Sequence, residues 1–122
     1  MVSSIISKVL DARGHLSREP ENAKVFISLC DETRLRVLEL LRSGEKCAGV
    51  LLKQVSVGQS TLSHHMKVLV ESGIVTARKA GKWTYYSICE SGGQYAMELL
   101  KRLTTIAANE PTEMPCPVQV QE

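Results

Sequence analysis

Apolar residues in the first third of the chain recur every three or four positions, which is the spacing of amphipathic helices. The pattern predicts a short helix over residues 3–12 and a second helix that starts at Pro20, where the missing N–H of proline costs nothing. A third helix is predicted from Glu32 to Arg42, with Asp31 as its N-cap and Ser43-Gly44 as its end. The expected apolar faces carry Ile5, Ile6, Val9 and Leu10; Ala23, Phe26, Ile27 and Cys30; and Leu35, Leu38 and Leu41, flanked by Val37 and Leu40.

Two more helices are predicted on either side of a three-residue turn at residues 56–58. The first runs from Cys47 to Val55. The second runs from Gln59 to Glu71 and is stopped by Ser72-Gly73. Helices joined by so short a turn that contains glycine are typical of the helix-turn-helix motif. The residues of the second helix expected to point inward are Leu62, Met66, Leu69 and Val70.

After residue 73 the pattern changes to one typical of strands. The β-branched residues 74–76 and the aromatic segment 83–86 flank Ala80-Gly81, which predicts a hairpin. A last helix is predicted from Gln94 to Ala108, with an apolar stripe that no later element can cover, so a second copy of the chain is expected to cover it. That stripe consists of Ala96, Leu99, Leu100 and Leu103, followed by Ile106 or Ala107.

These elements predict a mainly α protein with a β-hairpin wing, a dimeric winged helix-turn-helix. Residues 1–19 are expected to form a helical extension and residues 20–108 the winged domain with its terminal dimerisation helix. Residues 109–122 are expected to form a flexible tail. A length of 122 residues suits one domain. The first residues resemble no export signal and no apolar stretch reaches membrane-spanning length, so we expect a cytoplasmic protein without structural disulfides.

The outward face of the helix that starts at Gln59 is the candidate for DNA contact. Its residues are mostly short hydrogen-bonding side chains, crowded into the N-terminal half of the helix, where the dipole favours phosphate. A merely solvated face usually carries glutamate and lysine instead. We therefore expect this face to contact base edges in the major groove of double-stranded DNA. Its residues are Gln59, Ser60, Thr61, Ser63, His64 and Lys67, whereas His65 is expected to point inward.

Basic residues at the hairpin support this interpretation. The net charge of the chain is only +2. Between residues 53 and 88, however, five lysines and arginines accompany one acidic residue, Glu71, so the positive charge is concentrated around the motif. Arg78, Lys79 and Lys82 cluster at the predicted tip and are expected to contact the DNA backbone.

Three segments together resemble the ArsR/SmtB family of winged-helix repressors. They are LCDETRLRVL at residues 29–38, QSTLSHHMKVL at residues 59–69 and GKWTYY at residues 81–86. The resemblance covers residues 23–88, about half of the chain. It implies a homodimer that holds operator DNA and releases it when a metal ion, a metalloid or another signal binds. It also implies that the protein is not an enzyme and needs no cofactor to fold.

The cysteines depart from the family pattern in part. Cys47 matches the first cysteine of the Cys-x-Cys that arsenite- and cadmium-sensing members often carry, but Gly49 occupies the second position. The zinc ligands that other members place on the last helix are missing from residues 91–108, which contain no histidine or aspartate. Adjacent His64 and His65 diverge by about 100° on a helix and cannot chelate one ion together.

We expect Cys47 and Cys116 to bind a soft effector such as arsenite. Cys47 is predicted at a helix N-terminus beside Lys46, and both features favour a thiolate. Cys116 lies between two prolines in the tail, with a reach of about 26 Å from Ala108. Cys30 and Cys89 are interpreted as packed in apolar surroundings.

Other interpretations remain open at this point. A repressor that responds to redox state or sulfide through coupled cysteines is the main alternative. A thiol enzyme built on Cys47 is disfavoured, because no histidine or acid is evidently placed to assist it. A protein-interaction module with a vestigial winged helix would differ from both repressors by not shifting promoter DNA in a salt-dependent gel-shift experiment.

Overall fold

The computed structural model describes residues 22–108. The predicted helix over residues 3–12, the boundary at residue 19, Cys116 and the tail from residue 109 lie outside the described residues. Within them, the chain forms five helices and a three-stranded sheet in the order of a winged helix-turn-helix. The elements are α1 (Asn22–Ser28), α2 (Glu32–Leu41), β1 (Lys46–Cys47), α3 (Ala48–Gln54), α4 (Gln59–Glu71), β2 (Val75–Ala80), β3 (Trp83–Ile88) and α5 (Glu90–Thr104).

Local chemistry sets the limits of several helices as predicted. The Asp31 carboxylate accepts hydrogen bonds from the backbone N–H groups of Thr33 and Arg34 and so caps α2. Gly44 has a φ of 127°, which few other residues adopt, and follows the end of α2. The predicted limits of α4 agree with the structure at both ends.

The sheet is antiparallel with the strand order β1-β3-β2. The predicted hairpin of β2 and β3 is confirmed, and it turns at Gly81, which has a φ of 65°. The sequence does not predict the edge strand β1, because it has only two residues. It pairs Lys46 with Tyr86 and Cys47 with Tyr85. One hydrophobic core joins the helices to the base of the sheet, and its fully buried side chains include Val25, Val37, Leu51, Met66, Leu69, Val75 and Leu99.

The predicted buried face of α1 is wrong in part: Phe26 packs against the core, but the other predicted members do not. Val25 and Ser28 are buried, whereas Ile27 is 55% exposed and Cys30 is also exposed. Hydropathy alone misplaces this face, because the buried Ser28 hydroxyl is satisfied by a hydrogen bond to the carbonyl of Val25 at 2.7 Å. On α2 the stripe is confirmed in part. Leu41 and Val37 are buried, but Leu35 is exposed and the charged Arg34 is buried in the same helix.

The last helix also differs from its prediction. It starts at Glu90 and ends at Thr104, and Cys89 is its N-cap. Leu99 is completely buried in the core of its own chain, so its assignment to the uncovered stripe is wrong. The exposed apolar residues of the helix and of the segment after it are Met97, Leu100, Leu103 and Ile106.

Candidate nucleic-acid interface

Helix α4 has one buried face and one exposed face. Leu62, Met66 and Leu69 pack into the core, and His65 points inward as expected. The six residues predicted to contact DNA all lie exposed on the opposite side of the same helix. The structure thus brings together Gln59, Ser60, Thr61, Ser63, His64 and Lys67 on one solvent-facing surface. This surface supplies hydrogen-bond donors and acceptors along one helix, which is the geometry that a major groove accommodates.

The three basic residues predicted at the wing are exposed on the β2–β3 hairpin. Lys79 lies on β2. Lys82 lies at the turn, where its ammonium is 5.5 Å from the ring centre of Trp83. Arg78 has a different environment, because its guanidinium is held by the carboxylate of Glu45 and lies 4.6 Å above the Tyr85 ring.

The pairing of Arg78 with Glu45 changes the charge distribution inferred from the sequence. The hydrogen bond from Arg78 lowers the pKa of Glu45, and the same bond raises the pKa of Arg78. Glu45 lies 33 residues before Arg78 and outside residues 53–88, where the positive charge of the sequence is concentrated. No acidic residue lies among the wing cations in the sequence. In the structure, however, Glu45 forms an ion pair with one of them, Arg78.

Cys47 is half-buried at the N-terminus of α3, as the sequence predicts. A Cβ atom built on Gly49 would lie 4.0 Å from the sulfur of Cys47 and 4.0 Å from the Trp83 ring. Position 49 is therefore within contact distance of the thiol. The ammonium of Lys46 donates to the hydroxyl of Ser43 at 2.8 Å. Because successive strand residues point to opposite faces, Lys46 and Cys47 do not share a side of β1.

The other two described cysteines belong to other elements of the fold. Cys30 is exposed between α1 and α2, so the expectation that it packs in apolar surroundings is wrong. The half-buried sulfur of Cys89 accepts from the backbone N–H of Gly92 at 3.4 Å and lies 3.3 Å from the Ser91 hydroxyl. Within residues 22–108, no group of three histidine, cysteine or acidic residues is arranged to hold a metal ion. In the same part of the chain no helix is long and apolar enough to cross a membrane.

Comparisons with known proteins agree with this architecture. The family model described as "Bacterial regulatory protein, arsR family" matches residues 31–77. The chain is 48% identical over 68 residues to an arsenical resistance operon repressor from Staphylococcus aureus, a match that covers 56% of this chain and 65% of the relative. It is 36% identical over 102 residues to a biofilm growth-associated repressor from Xylella fastidiosa. This match covers 79% of this chain and 87% of the relative.

A solved structure shows the same fold. The homodimeric winged helix-turn-helix DNA-binding domain of a possible ArsR-family regulator from Mycobacterium bovis superposes with a TM-score of 0.54. The two are 28% identical, and the match covers 66% of this chain and 73% of the other. The chain therefore belongs to the arsR family of bacterial regulatory proteins and is a helix-turn-helix transcriptional repressor, not an enzyme.

Proposed function

We propose that the protein binds double-stranded operator DNA as a homodimer and that a thiophilic effector releases it. The observation that carries the proposal is the exposed polar face of α4, opposite a face that is buried in the core. Slender side chains at Gln59 and Ser63 reach base edges, while Lys67 neutralises a phosphate. Ser60 and Thr61 lie in the first turn of α4, where the helix dipole favours phosphate contact, and His64 faces the groove beside Ser63.

The wing contacts the DNA backbone in this proposal. Lys79 and Lys82 are exposed on the hairpin that follows α4. Arg78 joins these contacts less readily, because its Nε and one terminal nitrogen donate to the Glu45 carboxylate, whose negative charge repels a phosphate. The wing therefore adds affinity that depends on salt concentration and little on base sequence.

The dimer interface is proposed to include the exposed apolar residues Leu100 and Leu103 of α5. The two leucines are three residues apart and so are neighbours on one face of the helix, and adjacent exposed apolar side chains mark interaction surfaces. The homodimeric Mycobacterium bovis domain supports this assembly. A dimer presents two α4 helices, which suits two operator half-sites about one helical turn apart.

The proposed effector is a soft metal or metalloid ion, such as arsenite, bound by Cys47 together with Cys116. Thiolates are the ligands that such ions prefer. The described part of the chain supplies one cysteine at this place, which alone falls short of a soft-ion site, so the second ligand is proposed from outside it. The name of the Staphylococcus aureus relative, an arsenical resistance repressor, favours this class of effector over a purely redox signal.

DNA binding is tested by the anisotropy of labelled operator and unrelated duplexes over a range of salt concentrations. Lys82→Ala should weaken both complexes equally and reduce the salt slope by about one. Gln59→Ala and Ser63→Ala should reduce the preference for operator. If Lys82→Ala leaves the slope unchanged and the two α4 variants keep the preference, the docking is wrong.

Release is tested by adding arsenite, cadmium, zinc or a persulfide donor to the DNA complex. A change from nearly full to nearly empty occupancy requires the effector to favour the released state by about 5.5 kcal/mol. Cys47→Ser and Cys116→Ser should each abolish release by arsenite. If both respond like the unmodified protein, the thiol site is elsewhere. A response only to the persulfide donor would favour sulfide or redox sensing.

A further inference from the structure

Two polar side chains are buried beneath the candidate DNA-binding face. Arg34 of α2 is 8% exposed and His65 of α4 is 9% exposed. His65 follows His64, which belongs to the exposed face, so these two neighbours diverge by about 100° and only His65 turns inward. Burying such groups costs free energy unless each finds hydrogen-bond partners, so their contacts need a reason.

The Arg34 guanidinium makes three hydrogen bonds that join three helices. Its Nε donates to the carbonyl of Ser28 at 2.9 Å, and one terminal nitrogen donates to the carbonyl of Ile27 at 3.1 Å. The other terminal nitrogen lies 2.8 Å from Nδ1 of His65. A single rigid fork therefore connects the end of α1, the start of α2 and the middle of α4.

The chemistry of arginine fixes the roles in the last of these bonds. A guanidinium can only donate, so Nδ1 of His65 accepts and the ring proton is carried by Nε2. Nε2 faces the carboxylate of Asp31 at 3.8 Å, the same carboxylate that caps α2. The charged and titratable groups around the imidazole are therefore Arg34, Asp31 and the His64 ring, whose centre is 5.8 Å away.

We infer that the Arg34–His65 hydrogen bond is a positioning contact that fixes the rotation of α4 about its own axis and so contributes to sequence discrimination. The inference rests on the proposed docking of α4 in the major groove. Leu62, Met66 and Leu69 hold the helix through contacts that are not directional. Arg34 adds a directional contact to the same buried face.

The size of the effect follows from helix dimensions. Side chains extend to a radius of about 5–6 Å from the helix axis, so a roll of about 20° moves their tips by about 2 Å. Such a shift exceeds the tolerance of a hydrogen bond to a base edge. Contacts to phosphates from flexible lysines tolerate it, because they act as point charges. Loss of the buried bond should therefore reduce discrimination and leave nonspecific affinity largely intact.

The experiment compares two substitutions of His65. In His65→Asn the side-chain oxygen can replace Nδ1 as acceptor, whereas His65→Leu removes the acceptor and keeps an apolar side chain. The double variant Arg34→Met/His65→Leu removes the buried polar pair altogether and guards against a destabilised single variant, because apolar replacement of buried charges is often tolerated. Urea unfolding establishes that each variant is folded before DNA is added.

The measured quantity is the ratio of affinities for operator and for an unrelated duplex at one salt concentration. In His65→Leu and in the double variant we expect this ratio to fall about tenfold, a decrease comparable to the loss of one base contact. In His65→Asn we expect most of the ratio to be retained. Folded variants that keep the full ratio, or an Asn variant no better than Leu, would overturn the inference.

A second measurement does not depend on DNA. Long-range ¹H–¹⁵N spectra of the imidazole should show the Nε2–H tautomer in the unmodified protein and an altered ring environment in Arg34→Met. A proton on Nδ1 would contradict the hydrogen bond itself. If the unmodified protein shows this tautomer but no preference for operator, the docking of α4 fails, and the inferred role in discrimination fails with it.

Discussion

Glu45 and Arg78 form a bidentate ion pair, in which two guanidinium nitrogens each lie 2.8 Å from a different carboxylate oxygen. The pair joins the segment that leads into Cys47 to the wing. Arg78 and Cys47 are also connected through β3, since both are register partners of Tyr85. The proposed effector thiol and a wing cation therefore lie in one row across the sheet, with Glu45 linking its two edges.

Glu45→Gln should strengthen DNA binding. The substitution removes the carboxylate that holds Arg78, so the guanidinium becomes available to a phosphate. Operator and unrelated duplexes should both bind more tightly, and the logarithmic salt slope should become steeper by about 0.9. Anisotropy titrations across a salt series measure this. Glu98→Gln on α5 makes the same charge change away from the wing, and equal slopes in the two variants would refute the role of Glu45.

The limits of α4 could be predicted because every signal for them is local. The turn before it contains Gly58, Ser72-Gly73 stops it, and its apolar residues follow one helical period. By contrast, the pairing of Glu45 with Arg78 spans 33 residues, and β1 consists of two residues whose partners lie on β3. No local pattern carries information about contacts of this kind.

The sequence does not predict the start of α5 at Glu90, and the reason here is local. Gly92 and Gly93 lower helix propensity, so the sequence argues against a helix there. The structure explains Gly92 by packing, because a Cβ atom on it would overlap the carbonyl oxygen of Gly73. Helix α5 carries two apolar faces, one packed against the core of its own chain and one exposed. Periodicity does not distinguish the buried face from the exposed one, so the sequence places Leu99 on the wrong face.

Gly92→Ala should destabilise the fold by about 1–3 kcal/mol, because the added methyl group meets backbone that cannot rotate away. Gly93→Ala is the matched control. Nothing lies within 4 Å of its built Cβ, so the better helix propensity of alanine should stabilise the protein by up to about 1 kcal/mol. Urea unfolding measures the free energy of unfolding of both variants. If it changes in the same direction in both, the close approach of position 92 to Gly73 does not determine the effect of the added methyl group.

Leu103→Glu should give a folded monomer. Leu103 is 59% exposed in the single chain, so a carboxylate there is solvated until a partner covers it. Sedimentation velocity should show a loss of dimer, and circular dichroism should show unchanged helix content. Leu99→Glu should instead unfold the chain, since Leu99 is fully buried in its own core. A Leu103→Glu protein that remains dimeric would exclude this face from the interface.

Asp31→Ala should cost about 1 kcal/mol of stability at neutral pH through loss of the α2 cap. Asp31→Asn should lose much less, because its side-chain oxygen can still accept. The backbone N–H of Arg34 is the main reason that the pKa of Asp31 lies below its ordinary value.

A carboxyl group with a lowered pKa stabilises the fold fully above its unfolded pKa and loses that contribution as pH falls through the folded value. The unmodified protein should therefore exceed Asp31→Ala in free energy of unfolding by less in acid than at neutral pH. The corresponding difference between Asp31→Asn and Asp31→Ala should not change. Urea unfolding at neutral pH and at about pH 3 measures this. If the stability advantages of the unmodified protein and of Asp31→Asn over Asp31→Ala fall equally in acid, the Asp31 carboxylate is not the cause of the pH dependence.

Gly49→Cys should create a two-thiol site at Cys47. The Cβ atom at position 49 would lie in ordinary contact distance of the Cys47 sulfur, 4.0 Å away, so a second thiol could share one ion with it. Cadmium should then bind about tenfold more tightly or better than in the unmodified protein, since thiolates suit soft ions. Trp83, the only tryptophan, lies beside the same position and reports binding through its fluorescence.

Two matched variants separate this effect from a change of packing. Gly49→Ser adds a side chain of similar size without a soft ligand and should leave cadmium affinity unchanged. Cys47→Ser combined with Gly49→Cys keeps one thiol and should lose the gain. If the Gly49→Cys protein, kept reduced by a phosphine, binds cadmium no better than Gly49→Ser, then the sulfur of Cys47 does not point towards position 49.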